Sequence, residues 1–309
     1  MKRSSQLAVI VPVFNEREAV GAVLDALTRF AENRDMEIIA VDDGSDDGSD
    51  KVLAGFADRV VVRRHSSNRG YGASLKTGIL ATQARNVLFF DSDGQHDVAD
   101  LPRLLEELER HECVFGARPP GAGIPLVRKP GKWLLQRVCH FLAGRKIPDL
   151  NCGLRAGRRI LFMRMLDLLP EGFSFSITSL MFVIKSRHSY VFVPVHCGPR
   201  VGKSSVRIFS DGIKAVLLAL RLVMLFDPMR VLGVPAVALM GVGVVYQLYE
   251  IMAFRLKIVG GAILAILAGV ILFLFGLLAD QVSSLRKEIS SHNSLFWELE
   301  QQRGKDGDE

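Results

Sequence analysis

Cysteine is scarce. The chain has four in 309 residues, Cys113, Cys139, Cys152 and Cys197, and no two share the short spacing of a zinc site or a disulfide framework. They read as free thiols in a reducing compartment. Phosphate-loop glycines are also missing. Gly70-Tyr71-Gly72-Ala73-Ser74-Leu75-Lys76-Thr77 ends in Lys-Thr, but Leu75 stands where a Walker A loop needs glycine. The same Leu75 fills the third glycine place of Gly-x-Gly-x-x-Gly, so both the P-loop and the dinucleotide-binding fingerprint are excluded. No zinc-finger, leucine-zipper or RNA-recognition signature accompanies the net charge of +6, so nucleic acid is not expected as a partner. The apolar run at Leu7–Phe14 is broken by Asn15-Glu16 and is too short for a signal peptide. The N-terminal domain is therefore expected on the cytoplasmic side.

What is present is a series of short apolar runs that each end in polar turns. Leu7–Phe14, Glu37–Val41, Arg59–Val62, Asn86–Phe90 and Cys113–Ala117 read as strands, with Tyr190–Val195 as a late one. Helical patterns separate them: from Ala19 through Leu27, from about Ala73 to Ala84 and from about Asp100 to Arg110. Strands alternating with helices at this spacing predict an α/β fold with a parallel, doubly wound sheet.

The chain is organised around Phe89-Phe90-Asp91-Ser92-Asp93-Gly94-Gln95-His96. Side chains at i and i+2 of an extended segment point the same way, so Asp91 and Asp93 face one point with Gln95 beyond them. Two carboxylates and a neutral oxygen suit a hard cation such as Mg2+ or Mn2+, which in turn suits a diphosphate. An Asx turn closing a loop accounts for Asp-x-Asp taken alone. Two more predicted strands end in Asn15-Glu16 and in Asp42-Asp43-Gly44-Ser45, and a parallel sheet brings all three turns to one edge, where open α/β sheets bind ligands. Carboxylates on one edge repel unless a cation or donors lie among them. Asp43 is placed to accept from a ribose or a base edge, although turn and N-cap chemistry explains a single such cluster.

Basic residues cluster at Arg118, Arg128-Lys129, Lys132, Arg137, Arg145-Lys146, Arg155, Arg158-Arg159, Arg200, Lys203 and Arg207. Arg118, Arg128, Lys129 and Lys132 flank the loop Pro119–Pro125, which is either a clamp on phosphate or a solvated charge cluster. Pro148–Arg155 is a polar, glycine-bearing stretch between two helical patterns.

The apolar excess sits after Val231. Val231–Tyr249 and Ile258–Ala279 carry no charge, and each has about the twenty residues needed to cross a bilayer core. A tight turn over Glu250–Lys257 makes them a transmembrane hairpin. Arg221, Arg230, Arg286 and Lys287 favour the cytoplasm for both ends, with Arg255 and Lys257 at the far turn counting against it. Arg207, Lys214 and Arg221 recur every seven residues on an apolar helical pattern, which fits a helix in the membrane interface with its basic stripe toward headgroups. Gln281–Gln302 is a candidate amphipathic or self-associating helix, and Gly304–Glu309 reads as disordered.

Three blocks in order, Pro12-Val13-Phe14-Asn15-Glu16, Val41-Asp42-Asp43-Gly44-Ser45 and Asp91-Ser92-Asp93-Gly94-Gln95-His96, resemble those of family-2 glycosyltransferases with a GT-A fold. Within that family the chain is similar to the polyprenol-phosphate glycosyltransferases, in their bacterial membrane-anchored branch. The resemblance implies a Rossmann-like, mostly parallel catalytic domain over 1–205, an interfacial helix over 206–229, a two-helix hairpin over 230–280 and a cytoplasmic tail over 281–309. It implies that Pro12, Phe14, Glu16, Val41 and Asp43 line the nucleotide and that Asp91, Asp93 and Gln95 hold Mg2+ or Mn2+. Asp91, Asp93, Arg118 and Arg128 are the implied catalytic set. Arg118, Arg128 and Lys132 meet the acceptor phosphate and the sugar-phosphate, and Arg200 and Lys203 close over the diphosphate. Asp149–Arg155 is similar to the acceptor-side block Asp-x-x-x-Gly-Phe-Arg, with Leu154 for phenylalanine. The closing Gly-x-Ser-Lys reads Gly202-Lys203-Ser204-Ser205, so Lys203 or Arg207 takes the place of the last lysine. The implied reaction passes a sugar, with inversion, from a UDP- or GDP-linked donor to a polyprenyl phosphate at the cytoplasmic face of a cell inner membrane. Self-association through the membrane helices or the tail is a further expectation. A polysaccharide synthase and a non-catalytic nucleotide-sugar-binding module are the alternatives, but the synthase's Gln-x-x-Arg-Trp block is not found.

Overall fold

Seven strands build one sheet: β1 (Leu7–Val13), β2 (Met36–Asp42), β3 (Val61–Arg64), β4 (Asn86–Phe89), β5 (Cys113–Ala117), β6 (Arg155–Arg158) and β7 (Tyr190–Pro194). Their order across the sheet is β3-β2-β1-β4-β6-β5-β7. The computed structural model describes residues 5–119, 129–172, 174–199, 208–254 and 259–306, and of residues 129–132, 208–215, 254, 287 and 290–306 the backbone alone. The β1–β2, β2–β3, β1–β4 and β5–β7 pairs are parallel. Only β6 runs against its neighbours, β4 and β5. The sheet is therefore mixed and mostly parallel. The extra strand begins at the last residue of the polar stretch Pro148–Arg155 and was not expected, because Arg-Ala-Gly-Arg holds no β-branched or aromatic residue.

Both faces of the sheet are covered, so its central strands are apolar throughout. On β1, Val9, Val11 and Val13 face a layer containing Leu24 and Leu27 of α1 (Val20–Ala31). Leu101 and Leu104 of α4 (Leu101–Arg110) belong to the same layer. Ala8 and Ile10 point the other way, into a layer with Leu75 and Ile79 of α3 (Tyr71–Leu80). That layer also takes residues of α5 (Lys129–Ala143) and α7 (Phe175–Lys185). The short helices α2 (Ser49–Ala54) and α6 (Arg159–Arg164) complete the α/β unit.

Three helices follow: α8 (Ile208–Phe226), α9 (Pro228–Phe254) and α10 (Gly260–Asp306). Ala219, Leu222, Val223 and Phe226 of α8 are buried in the second apolar layer. Leu217, Leu220, Arg221 and Met224 stand exposed on its outward side. Arg207 lies outside the described residues, as does the side chain of Lys214. Pro228–Ala253 and Gly260–Arg286 are each long and apolar enough to cross a membrane, and only 17% of an 18-residue apolar stretch in each is buried within the molecule. The two helices pack closely through glycine: a Cβ on Gly269 would stand 2.9 Å from the Ala236 carbonyl oxygen. The tail is not a separate element, because α10 runs unbroken through Asp306.

Candidate active site

The site grows from the sheet's register. Val13 pairs with Asp42 and Ile10 with Phe89, so β1, β2 and β4 end on one edge and the turns bearing Glu16, Asp43 and Asp91 emerge side by side. β5 ends there too and delivers Arg118. Since β6 is antiparallel, the chain enters it at this same edge, which brings the segment 149–154 in from the opposite side.

The first two turns are laced together. The Asn15 N–H donates to Ser45 Oγ at 3.1 Å, its amide nitrogen donates to Asp46 Oδ1 at 2.8 Å, and its Oδ1 accepts from the Asp46 N–H at 3.0 Å. The Glu16 N–H donates to Ser49 Oγ at 3.0 Å. Phe14, beside them, stands 36% exposed on the rim. Pro12 and Val41 do not reach the rim. Both are buried, Val41 within the apolar layer of Ile39 and Leu75, because a central strand is covered on both faces. The Pro12 carbonyl nevertheless meets the site, since it accepts from Ser92 Oγ at 2.7 Å.

Asp43 is buried and already engaged. Its carboxylate accepts from the Arg69 N–H at 2.9 Å and the Gly70 N–H at 2.7 Å, and lies 2.7 Å from His65 Nδ1. The other ring nitrogen of His65 is 2.9 Å from Thr77 Oγ1. Gly70 has φ +106°, and a Cβ there would come within 2.7 Å of the Glu171 carbonyl oxygen, so only glycine fits. Asp43 thus moors the loop leading into α3. A carboxylate offers about four acceptor positions, so little of it remains for a ligand.

That loop places Tyr71, whose hydroxyl donates to Asp91 Oδ1 at 2.9 Å. Burial and the Asp91 charge push the Tyr71 phenol well above its usual pKa, which keeps it a donor. Asp91 Oδ2 lies 3.7 Å from Nε2 of the buried His96. Burial raises the Asp91 carboxyl, but His96, Tyr71 and the Arg155 guanidinium together outweigh it and hold the group below the ordinary carboxylate range. Arg155 is buried below the rim, where it donates to Ser176 O at 2.7 Å, to Ser179 Oγ at 2.9 Å and to the Cys152 carbonyl. Gly153 makes room for the carboxylate: a Cβ there would stand 1.9 Å from Asp91 Oδ2.

Asp93 Oδ1 accepts from the Gln95 N–H at 3.1 Å, and Gln95 Nε2 donates to the Gly198 carbonyl at 3.2 Å. Gly198 N–H returns a bond to Gln95 O at 2.8 Å, and Cys197 bridges to His96, so the segment after β7 closes on this turn. Among the described residues no three His, Cys, Asp or Glu side chains converge on one metal position. Two carboxylates and the Gln95 amide oxygen still form a donor set for a hard cation that takes its remaining oxygens from a diphosphate and water. The all-oxygen chemistry of the turn fits Mg2+ or Mn2+ in that shared form.

Arg118 forms a two-point pair with Asp149, Nε to Oδ2 at 2.7 Å and Nη2 to Oδ1 at 3.1 Å. Burial raises the Asp149 carboxyl, but Arg118 outweighs it and leaves the group below its usual range. Arg128, Arg200 and Lys203 lie outside the described residues, as does the Lys132 side chain. The rim thus gathers Phe14, Glu16, Asp91, Asp93, Gln95 and Arg118. Sequence reasoning gave no role to Tyr71, His96, Asp149 or Gly153. Tyr71 sat inside the glycine-rich run dismissed as a P-loop, and the other three lie within quoted blocks.

The mixed sheet with carboxylates on one rim is the GT-A fold of glycosyltransferases. It aligns with glucosyl-3-phosphoglycerate synthase from Mycobacterium tuberculosis in complex with Mn2+, uridine-diphosphate-glucose and phosphoglyceric acid, with a TM-score of 0.58 and 19% identity, over 71% of this chain and 80% of that one. Residues 8–167 match glycosyl transferase family 2, and the chain belongs to that family. Residues 227–285 match the GtrB C-terminal hairpin. Glycosyltransferase AglJ of Haloferax volcanii is 26% identical over 93% of this chain and 97% of its own length. Dolichyl-phosphate hexose transferase of the same organism is 28% identical over 67% and 89%. Dolichyl-phosphate beta-glucosyltransferase of Drosophila melanogaster is 31% identical over 49% of this chain and 54% of its own. The chain thus spans about half of that relative, and 64% of the uncharacterized protein MJ1222 of Methanocaldococcus jannaschii, to which it is 31% identical.

Proposed function

We propose that this glycosyltransferase transfers a sugar, with inversion, from a UDP- or GDP-linked donor to a polyprenyl phosphate at the cytoplasmic face of a cell inner membrane. The observation that carries the reading is the union, in one chain, of an Asp91/Asp93 rim faced by Arg118–Asp149 with two helices apolar enough to span a bilayer. Relatives named for dolichyl-phosphate hexose and glucosyl transfer support the acceptor class.

A phosphate monoester has its second pKa near about 6, so the acceptor is largely dianionic at neutral pH and needs no general base. The protein's tasks are to align the acceptor oxygen behind the anomeric carbon and to ease departure of the nucleotide diphosphate. Asp91, Asp93 and Gln95 would hold Mg2+ or Mn2+, which when bound supplies a charge clamp on the leaving group. Arg118, aimed by Asp149, would meet the acceptor phosphate, helped by Arg128 and Lys132. Arg200 and Lys203 would close over the diphosphate. Pro12, Phe14, Glu16, Val41 and what remains of Asp43 would line the nucleotide. On this reading 1–205 is catalytic, 206–229 interfacial, 230–280 membrane-spanning and 281–309 a cytoplasmic tail, the last two with a capacity for self-association.

The test is a screen of nucleotide sugars against a polyprenyl phosphate with the full chain in nanodiscs. Mass spectrometry should find one lipid-linked sugar phosphate and free nucleotide diphosphate in equal amount. Nucleotide-sugar binding without lipid product from any donor would leave a binding module and end the reading.

A further inference from the structure

Helix α5 turns Leu135, Cys139 and Leu142 into the core and presents the opposite side outward. On that side Trp133 is 58% and Phe141 51% exposed. Each ring carries a guanidinium: Arg137 lies 5.3 Å over Trp133, and Arg230 lies 5.0 Å over Phe141. Arg145 is held 4.6 Å over Tyr190. Trp133, Arg137, Phe141, Arg145 and Lys146 edge an open groove of about 750 Å3, and no described residue lining it is acidic.

Large rings half in the open beside paired cations suit the boundary of a bilayer, where the ring meets the acyl region and the cation meets phosphate. Arg230 belongs to the first turn of α9, whose apolar span starts at Pro228. Its contact with Phe141 sets the groove at the level where that span begins. We infer that this groove binds the phosphates of anionic phospholipid headgroups and thereby fixes the height and tilt of the α/β unit over the bilayer. The inference needs α9 to cross the membrane and does not rest on the transfer reaction.

The chain's two tryptophans, Trp133 and Trp297, make the test direct. The Trp297→Phe protein, full length, is placed in nanodiscs of phosphatidylcholine with phosphatidylglycerol, either lipid being brominated on the upper acyl chain. Trp133 emission should be blue-shifted and quenched several-fold more by brominated phosphatidylglycerol than by brominated phosphatidylcholine. Arg145→Glu with Lys146→Glu, or the milder Arg145→Gln with Lys146→Gln, should erase that preference while nucleotide binding persists. The inference is overturned by emission that acrylamide quenches and bromolipid does not, or by equal quenching from the two lipids. A change seen only on adding polyprenyl phosphate overturns it too, by giving the groove to the acceptor.

Discussion

Tyr71 Oη and Asp91 Oδ1 lie 2.9 Å apart, joining the first residue of α3 to the end of β4 across the rim. The tyrosine spends its donor on one carboxylate oxygen and so fixes the direction of the other. Tyr71→Phe removes that bond and keeps the ring. A hydrogen bond to a charged group contributes about 1.5–3 kcal/mol, so Mn2+ affinity in the presence of nucleotide, read by electron paramagnetic resonance, should weaken by roughly 10- to 100-fold. Unchanged Mn2+ affinity would falsify the orienting role.

Gly153→Ala places a methyl group where the Asp91 carboxylate stands, since the Cβ would be 1.9 Å from Oδ2. The carboxylate has to swing away, and transfer should fall by at least about 100-fold, as misplacement by about an ångström at a reacting centre does. Circular dichroism and the melting temperature should change little beside that loss. An active variant with wild-type metal requirement would show that Asp91 does not act from this position.

Asp93→Ala should abolish transfer at every Mg2+ or Mn2+ concentration while nucleotide-free protein melts normally. Its side chain accepts from the Gln95 N–H of its own turn. Full turnover by this variant in excess chelator would sink the metal reading.

The Arg118–Asp149 pair gives a pH signature. Asp149 has its pKa depressed in the folded chain, chiefly because Arg118 outweighs the effect of burial. Such a group adds stability above its unfolded pKa, near about 3.9, and loses it as pH falls through the lower folded value. The melting-temperature gap between wild type and Asp149→Asn should therefore hold from pH 7 to about 4 and shrink only below. A gap that closes by pH 6 would contradict the assignment.

Much of this was legible in the chain. The runs ending at Phe14, Val41 and Phe90 are short, apolar and followed by polar turns, so strands and a shared acidic edge followed from pattern alone. Two kinds of information were not there. β6 holds Arg155 and Gly157 where a strand reader wants valine, and its direction depends on partners distant in sequence. The supports of Asp91 were hidden for the same reason, since Tyr71 and Gly153 reach it only through tertiary approach. Asp43 looked like an open acceptor because sequence carries no record of the backbone donors that occupy it.

Helix α10 has no joint between its apolar part and the end of the tail. Forty-seven residues at about 1.5 Å each make a rod of about 70 Å, more than twice the roughly 30 Å of a hydrocarbon core. One residue inserted past Arg286 would turn everything beyond it by about 100°, as a key turns in a lock, while leaving the buried segment undisturbed. The tail's compass bearing is thus set by the apolar part of the same helix.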